Sequence, residues 1–276
     1  MSVSTTRIEH DASFAAPLAV HKMPAHWLMA RLGKRVLRPG GIETTRWLLK
    51  HGCVGPDDDV VELAPGLGVT ADAILACGPK SYLGIERDAE AFRRAEQAVT
   101  RAGVAGAAIR QADASTVPLP DGCASVVIGE AMLSMQLLEK KRAIIGEAYR
   151  LLRRNGRYLI HELALQPDGV GDARVEQIQA DLSNVIHVGV RIGTRDDWQG
   201  WLAEAGFEVE DLTTVPMRLL EPDRMLRDEG LMGMSRFAFN VLRTPGAAQR
   251  LLSVRRMFRK YHDHLFAIGI VARRRA

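Results

Sequence analysis

The chain has 276 residues, of which 47% are hydrophobic and 25% are charged. This balance is typical of a globular protein of one or two domains and excludes a disordered or fibrous chain. The net charge of +4 is unevenly distributed: residues 1–50 and 243–276 carry +5 and +8, whereas residues 51–242 carry −9. No apolar stretch is long enough to span a membrane, and the first 20 residues lack the features of a signal peptide. The three scattered cysteines show neither metal-binding nor disulfide spacing, so we expect a cytoplasmic protein without a metal site.

Two short helices are predicted near the N-terminus, over residues 21–34 and 42–51. They are separated by Arg38-Pro39-Gly40-Gly41, a strong turn signal. Residues 1–20 are expected to be loosely ordered. A hinge between two short helices is typical of a segment that closes over a ligand, so residues 1–50 are predicted to form a lid.

From residue 59 onward, short runs of β-branched residues alternate with segments of helical periodicity. The predicted strands are 59–64, 81–86, 107–111, 125–129, 157–165, 207–215 and 265–272. The predicted helices are 69–77, 88–101, 137–154 and one that begins after Thr194, with Asp197 completing a capping box. Repeated strand–helix alternation indicates a parallel sheet covered on both faces, with ligands bound at the carboxyl ends of its strands.

The most informative turn follows the first of these strands, in Val60-Val-Glu-Leu-Ala-Pro-Gly-Leu-Gly68. Glycines between a strand and a helix allow the backbone to approach a ligand closely. Glu86 ends the next strand, 18 residues after Gly68. A carboxylate at that place accepts hydrogen bonds from a pair of ribose hydroxyls in dinucleotide-binding folds.

Four further segments complete a recognisable series: Gln111-Ala-Asp-Ala114, Pro118-Leu-Pro-Asp121, Val126-Val-Ile128 and Ala205-Gly-Phe207. With the glycine turn, they resemble the class I S-adenosylmethionine-dependent methyltransferases of the small-molecule, type 11-like group. The resemblance covers about residues 55–215 and the closing strand. It implies a methyltransferase that uses S-adenosylmethionine. It also implies a Rossmann-like, doubly wound, mostly parallel seven-stranded sheet with helices on both faces and an α-helical lid and insert.

The resemblance also implies a role for individual residues. Glu62, Ala64 and Gly66 would shape the pocket for the methionine part of the cofactor, and Asp113 would meet the adenine amino group. Ala64 replaces the usual first glycine, which is compatible with backbone contact if its φ is negative. The complete cofactor-binding set is Glu62, Ala64, Pro65, Gly66, Gly68, Glu86, Arg87, Asp113, Ala114 and Glu130.

Candidate catalytic residues stand at the ends of the fourth and fifth predicted strands, namely Glu130, His161 and Glu162. An oxygen acceptor benefits from a general base, whereas a thiolate or a neutral amine needs less help. Alternatives remain open for two of them. His161 could be a packed histidine, and Glu162 could be a strand-end acid bonded to the backbone.

The sequence therefore predicts a lid (1–50), a cofactor-binding core (51–217), a helical substrate insert (218–263) and a closing strand (264–276). The predicted reaction is methyl transfer to a small-molecule acceptor. An oxygen nucleophile is the favoured acceptor, and the basic flanks would suit an anionic one. Alternative hypotheses are a methyltransferase acting on RNA or a protein side chain, and a non-catalytic binding module. Aromatic residues do not alternate with the basic ones, so no nucleic-acid partner is expected. No apolar stretch is long enough to span a bilayer, and no membrane partner is expected either.

Overall fold

A mixed β-sheet runs through the computed structural model, which describes residues 18–275. The strands in this range are β1 (Asp59–Leu63), β2 (Ser81–Glu86), β3 (Ala107–Gln111), β4 (Ala124–Glu130), β5 (Leu152–Leu165), β6 (Gly193–Thr194), β7 (Phe207–Pro216) and β8 (Leu265–Arg274). The helices are α1 (Ala25–Arg31), α2 (Gly41–His51), α3 (Val69–Leu75), α4 (Ala89–Ala102), α5 (Leu138–Leu151), α6 (Asp172–Ile186), α7 (Arg195–Glu204), α8 (Pro222–Arg243) and α9 (Ala247–Lys260). Most of the N-terminal stretch expected to be loosely ordered, residues 1–17, lies outside the described residues.

The strand order is β3-β2-β1-β4-β5-β8-β7, and the two-residue β6 pairs with β5 beside this path. The strands from β3 to β5 are parallel, whereas β8 is antiparallel to both β5 and β7. The carboxyl ends of β1, β2, β4 and β5 therefore meet at one edge. The predicted doubly wound, mostly parallel fold is confirmed.

The central strands are buried on both sides because helices cover both faces, and six of the seven residues of β4 are buried. On one face, side chains of α2, α3 and α4 pack with Val60, Val126 and Leu159. On the other, side chains of α5 and α7, including Ile145 and Trp198, pack with the strands. This packing fixes the strand ends on which the site is built.

A third apolar cluster joins the N-terminal segment to the insert. Leu28 of α1, Ile178 of α6, Phe237 of α8 and Leu251 of α9 belong to one buried group with Leu165 at the end of β5. Helix α2, in contrast, packs on the sheet through Leu48 and Leu49. The domain division at residue 50 stays a prediction, although α2 shares the core of the sheet.

Two local expectations differ from the structure. The helix expected over 137–154 ends at Leu151, and β5 begins at once with Leu152. Asn155, at a φ of 60°, then lies within an irregular part of the strand instead of ending a helix. Helix α6 was not expected, because Gly171 offers no side-chain cap, yet Val175, Ile178 and Leu182 have helical spacing.

No helix among residues 18–275 has the length and apolar character needed to cross a bilayer.

The predicted capping box at the start of α7 is present and gives a stability test. Asp197 N–H donates to Thr194 Oγ1 at 3.2 Å, and Thr194 N–H donates to Asp197 Oδ2 at 2.8 Å. Replacement of Thr194 by alanine should lower the free energy of unfolding by about 1 kcal/mol, measured by urea denaturation. The exposed Thr116→Ala variant is the control and should stay within about 0.5 kcal/mol. An equal decrease in the free energy of unfolding of both variants would show that the capping box does not stabilise the protein.

Candidate active site

The turn between β1 and α3 follows a left-handed path. Ala64, Gly66 and Gly68 have φ values of 56°, 57° and 76°. The condition stated above for Ala64, a negative φ, is therefore not met, and an alanine in this region costs roughly 1–2 kcal/mol. A Cβ on Gly68 would lie 2.6 Å from the Cβ of Ala98, so that glycine is also needed for α3 to pack on α4.

Glu86, at the end of β2, is tied to this turn. Gly66 N–H donates to its Oε2 at 3.0 Å, and Asp88 N–H donates to its Oε1 at 2.9 Å. Burial raises the pKa of Glu86, and these two backbone bonds oppose the rise. The carboxylate is thus held at a fixed place beside the turn, as its predicted ribose contact requires.

Glu62 lies one strand away and is almost completely buried. Its Oε2 accepts a hydrogen bond from the Tyr82 hydroxyl at 2.5 Å. Burial raises the pKa of Glu62 to about 8, with Glu130 adding to the rise and Tyr82 opposing it. At neutral pH this side chain is therefore largely protonated, so it would meet a ligand as an uncharged group.

Glu130, at the end of β4, collects four partners from four segments. Its Oε1 accepts from Thr45 Oγ1 at 2.7 Å and from His161 Nδ1 at 2.9 Å, and its Oε2 contacts both Arg38 and Thr70. Burial alone would raise the pKa of Glu130. The charge of Arg38 and the hydrogen bonds from His161 and Thr70 instead lower it to about 2. Glu130 is therefore an ionised anchor beneath the N-terminal segment.

His161 is completely buried between two protein partners. Gly40 N–H donates to its Nε2 at 2.9 Å, so Nε2 is the acceptor and Nδ1 carries the proton that is donated to Glu130. The packed-histidine alternative describes this arrangement. A substrate would reach Nε2 only if the backbone at Gly40 moved away.

Glu162, the neighbour of His161, points to a different place. Its carboxylate accepts hydrogen bonds from the N–H groups of Met132, Leu133 and Ser134 at 2.7, 2.6 and 3.1 Å, and from the Ser134 hydroxyl at 2.7 Å. Burial raises its pKa, and these donors oppose the rise. In this structure Glu162 shapes the loop after β4, which corresponds to the alternative of a strand-end acid bonded to the backbone.

Asp113 is partly exposed and engaged by its own surroundings. Lys140 Nζ donates to it at 2.8 Å, as do the Ser115 N–H at 2.8 Å and the Ser115 hydroxyl at 2.7 Å. Burial would raise its pKa, but these bonds lower the pKa to about 2. Arg87 lies 3.9 Å from Asp113, and Ala114 follows it in a half-buried position. The adenine contact of Asp113 and Ala114 stays a prediction.

Sequence reasoning missed three residues of the cluster: Arg38, Thr45 and Thr70. Arg38 is buried, yet its Nε and Nη2 have no hydrogen-bond partner among the described residues. The signal for it was its position immediately before Pro39-Gly40-Gly41, where a turn brings it over the strand ends. The two threonines gave no such signal. The sequence pattern of α2 and α3 does not predict which face of each helix lies against the end of β4.

The sheet order, the glycine turn after β1 and the strand-end acid on β2 together define the class I S-adenosylmethionine-dependent methyltransferases. Residues 61–160 match the family described as "Methyltransferase domain", and this part of the chain belongs to that family. The protein is a methyltransferase enzyme with S-adenosylmethionine as its cofactor.

Similar proteins cover the chain to different extents. An uncharacterised protein of Haemophilus influenzae is 33% identical over 248 residues, which are 90% of this chain and 95% of that protein. The 27-O-demethylrifamycin SV methyltransferase of Amycolatopsis mediterranei is 28% identical over 162 residues, 57% of each chain. The crystal structure of MccD protein has a TM-score of 0.69 at 20% identity, over 86% of this chain and 99% of that one. This last likeness concerns the fold.

The residues at the strand ends fit the cofactor chemically. An S-adenosylmethionine molecule presents a carboxylate, an ammonium group and a ribose diol. Arg38 already meets Glu130 through Nη1, but its buried Nε and Nη2 have no acceptor among the described residues. These two N–H donors suit a carboxylate, because a buried donor without a partner is costly. The fixed Glu86 carboxylate suits hydroxyl donors.

The raised pKa of Glu62 gives a pH test. The pKa is about 8 in the folded protein and about 4.3 in an unfolded chain, so the folded state binds more protons between these values. The free energy of unfolding should therefore fall as the pH rises from 5 to 8. Glu62→Gln removes this titration. The free energy of unfolding of Glu62→Gln, minus that of the unaltered protein, should therefore rise by on the order of 3 kcal/mol between pH 5 and pH 8, at about 1.4 kcal/mol per pKa unit.

Urea denaturation of both proteins at pH 5 and pH 8 measures this difference. Glu90→Gln is the matched control, because the pKa of Glu90 is lowered by its hydrogen bonds to Arg93 and Arg94 and should give no improvement of this kind. A stability difference for Glu62→Gln that is independent of pH would contradict the protonated state of Glu62.

Proposed function

We propose that this methyltransferase acts on a hydroxyl oxygen of a small-molecule acceptor, with His161 as the general base. The observation that carries the proposal is the pair formed by His161 and Glu130. An ionised carboxylate fixes the Nδ1–H tautomer and directs the basic Nε2 toward Gly40, at the carboxyl ends of the strands. A carboxylate that orients a histidine in this way is the arrangement used to take a proton from a hydroxyl.

Cofactor binding would be divided among the residues of the turn and the strand ends. Glu86 would accept hydrogen bonds from the ribose hydroxyls, and the backbone around Ala64 and Gly66 would face the methionine part. Arg38 would pair its free Nε and Nη2 with the cofactor carboxylate. When bound, S-adenosylmethionine supplies a methyl group that its sulfonium has already activated.

The protein's own contribution is then to position the acceptor and to receive its proton. Gly40 occupies Nε2 of His161 in this structure, and it belongs to the Pro39-Gly40-Gly41 turn. Displacement of this turn by an acceptor hydroxyl would exchange one hydrogen bond to Nε2 for another. The hydroxyl proton would pass to Nε2, and the carboxylate of Glu130 would stabilise the imidazolium that forms.

A small acceptor is supported by the relative from Amycolatopsis mediterranei, whose name gives a rifamycin as its substrate. Oxygen is favoured over nitrogen because the prearranged base would add little for a neutral amine, which is nucleophilic without losing a proton first. RNA and protein side chains, the alternatives raised by the basic flanks, gain no specific support from the strand-end cluster.

The first test concerns the cofactor. Glu86→Gln keeps the size of the side chain but gives the ribose hydroxyls a weaker, uncharged partner, so we expect affinity for S-adenosylhomocysteine to fall about tenfold by calorimetry. Glu90→Gln is the control, because Glu90 lies in the first turn of α4 and is paired with Arg93, and it should bind like the unaltered protein. Unchanged affinity of Glu86→Gln would remove Glu86 from the cofactor site.

The second test separates a base from a packed side chain. His161→Asn can still donate to Glu130 through its amide but has no Nε2. We expect kcat to fall by roughly 10²–10⁴-fold while affinity for S-adenosylhomocysteine stays within about threefold. Formation of S-adenosylhomocysteine would be followed with a panel of phenols and alcohols and with the amines of matching shape.

Thr45→Val is the matched control, because it removes another hydrogen bond to the same Glu130 oxygen and leaves Nε2 in place. It should retain most of the activity. Equal loss in the two variants would mean that His161 only holds Glu130. A preference for the amines of the panel would exclude the oxygen acceptor but leave the cofactor assignments standing.

A further inference from the structure

Helix α8 carries an exposed row of large apolar side chains. The relative exposures are 72% for Leu231, 89% for Met232, 55% for Phe239 and 83% for Leu242. We refer to these four residues as the α8 strip. They lie in the part of α8 that follows the non-helical residue Gly230. A contiguous exposed apolar surface marks a contact with a protein or a membrane.

The strip follows from helical geometry. At about 100° per residue, Leu231, Phe239 and Leu242 fall within one side of the helix, and Met232 lies at its margin. Phe237, on the opposite side, is buried in the cluster that joins α8 to α1, α6 and α9. The side of α8 that packs against the core is therefore the side of Phe237, and the strip lies on the other side. The helix has one face for the protein and a second, apolar face that points outward.

Arginines border this outward face. Arg236 and Arg243 follow Met232 around the helix, and the guanidinium of Arg243 lies 5.1 Å from the ring centroid of Phe239. Residues 230–262, which span most of α8 and all of α9, contain seven Arg or Lys residues and no Asp or Glu. The region thus combines apolar side chains with an excess of positive charge.

Part of this positive charge is neutralised by acids from elsewhere. Arg255 and Arg259 share Glu221, and Lys260 pairs with Asp181. Within residues 18–275, in contrast, no ion pair joins an acid to the four arginines that remain, namely Arg236, Arg243, Arg250 and Arg256. Of these, Arg250 donates to the carbonyl of Val185.

We propose, in contrast to the sequence-based expectation of no membrane partner, that the α8 strip docks on the surface of an anionic lipid bilayer. Apolar side chains bordered by arginines are the pattern of helices that lie in the membrane interface. There the apolar face is buried at the headgroup boundary and the cations meet lipid phosphates. Since none of the described helices can cross a bilayer, this attachment is peripheral.

Charge argues against the other occupants. A symmetric contact between two copies of the strip would bring Arg236 and Arg243 of each copy close to the same arginines of the other, with no acid in residues 230–262 to separate them. A nucleic acid would satisfy the arginines but would leave Leu231, Met232 and Leu242 against a polyanion. An anionic bilayer matches both the charge and the apolar side chains.

A neighbouring cleft supports the same assignment. Met232 and Arg236 also line a cleft of about 930 Å³ between α2, α3 and α8, whose other basic lining residues are Arg35, Arg46 and Lys50. Three acids, Asp72, Asp228 and Glu229, also line this cleft, and Asp72 pairs with Arg35, so the basic lining residues exceed the acids by one. The margin of the strip therefore continues into a recess of a size that accommodates a phosphate headgroup. The membrane-facing side and the cleft would meet the same layer of lipid phosphates.

The test is cosedimentation of the whole protein with vesicles at physiological ionic strength. We expect binding to vesicles of equal parts phosphatidylglycerol and phosphatidylcholine, and at least roughly tenfold weaker binding to phosphatidylcholine alone. The double variant Phe239→Ser, Leu242→Ser should lower the partition coefficient by roughly tenfold or more. Arg236→Gln with Arg243→Gln should lower it severalfold and flatten its dependence on salt.

Leu137→Ser is the matched control, because Leu137 is as exposed as Phe239 but lies before α5. It should bind within about twofold of the unaltered protein. The proposal is overturned if the unaltered protein does not bind the anionic vesicles, or if the Phe239, Leu242 variant binds them equally well. It is also overturned if millimolar glycerol phosphate abolishes binding, since the ligand would then be a free phosphate. A dimer in sedimentation velocity that this variant dissociates would assign the strip to a second copy.

Discussion

The arrangement at the strand ends depends on one buried negative charge. Glu130 is held by one residue from each of four segments, namely the N-terminal turn, α2, α3 and β5. A buried carboxylate is tolerable only when its partners are complete, and loss of one partner of a buried ion pair typically costs about 3–5 kcal/mol. The N-terminal segment is therefore fastened over the cofactor turn by electrostatics as well as by packing, and the position of Arg38 is coupled to that of His161 through the same carboxylate.

Most of the sheet could be predicted because its signals are local. Strands β2 and β3 have the expected bounds, since each is a short run between turn residues, and the capping box of α7 is a pattern of four adjacent residues. Helix α6 and the early end of α5 could not be located in the same way. The first lacks a side-chain cap, and the second ends where pairing of Leu152 with Ala124 extends the sheet.

The site was predictable in part for the same reason. Glu86 and Glu130 were found because a strand end is a local feature, but the roles of His161 and Glu162 depend on which way neighbouring side chains on one strand point. Alternation along β5 sends His161 toward Glu130 and Gly40, and Glu162 toward the loop after β4. Arg38 and Thr45 are more than 80 positions away from Glu130 in sequence. No rule of residue spacing predicts a contact over that separation.

The pairing of β7 with β8 has a consequence for how this enzyme can diversify. The insert leaves the sheet after Pro216 and returns at Leu265, and Pro216 is the register partner of Phe266. Helices α8 and α9 are thus inserted between the two strands of the β7–β8 hairpin. A hairpin of this kind needs only a short turn to connect its strands. Because the two ends of this insert are adjacent, the length and surface of the insert can change without altering the register of any strand. Related chains could therefore exchange this helical pair for another while they keep the same catalytic core.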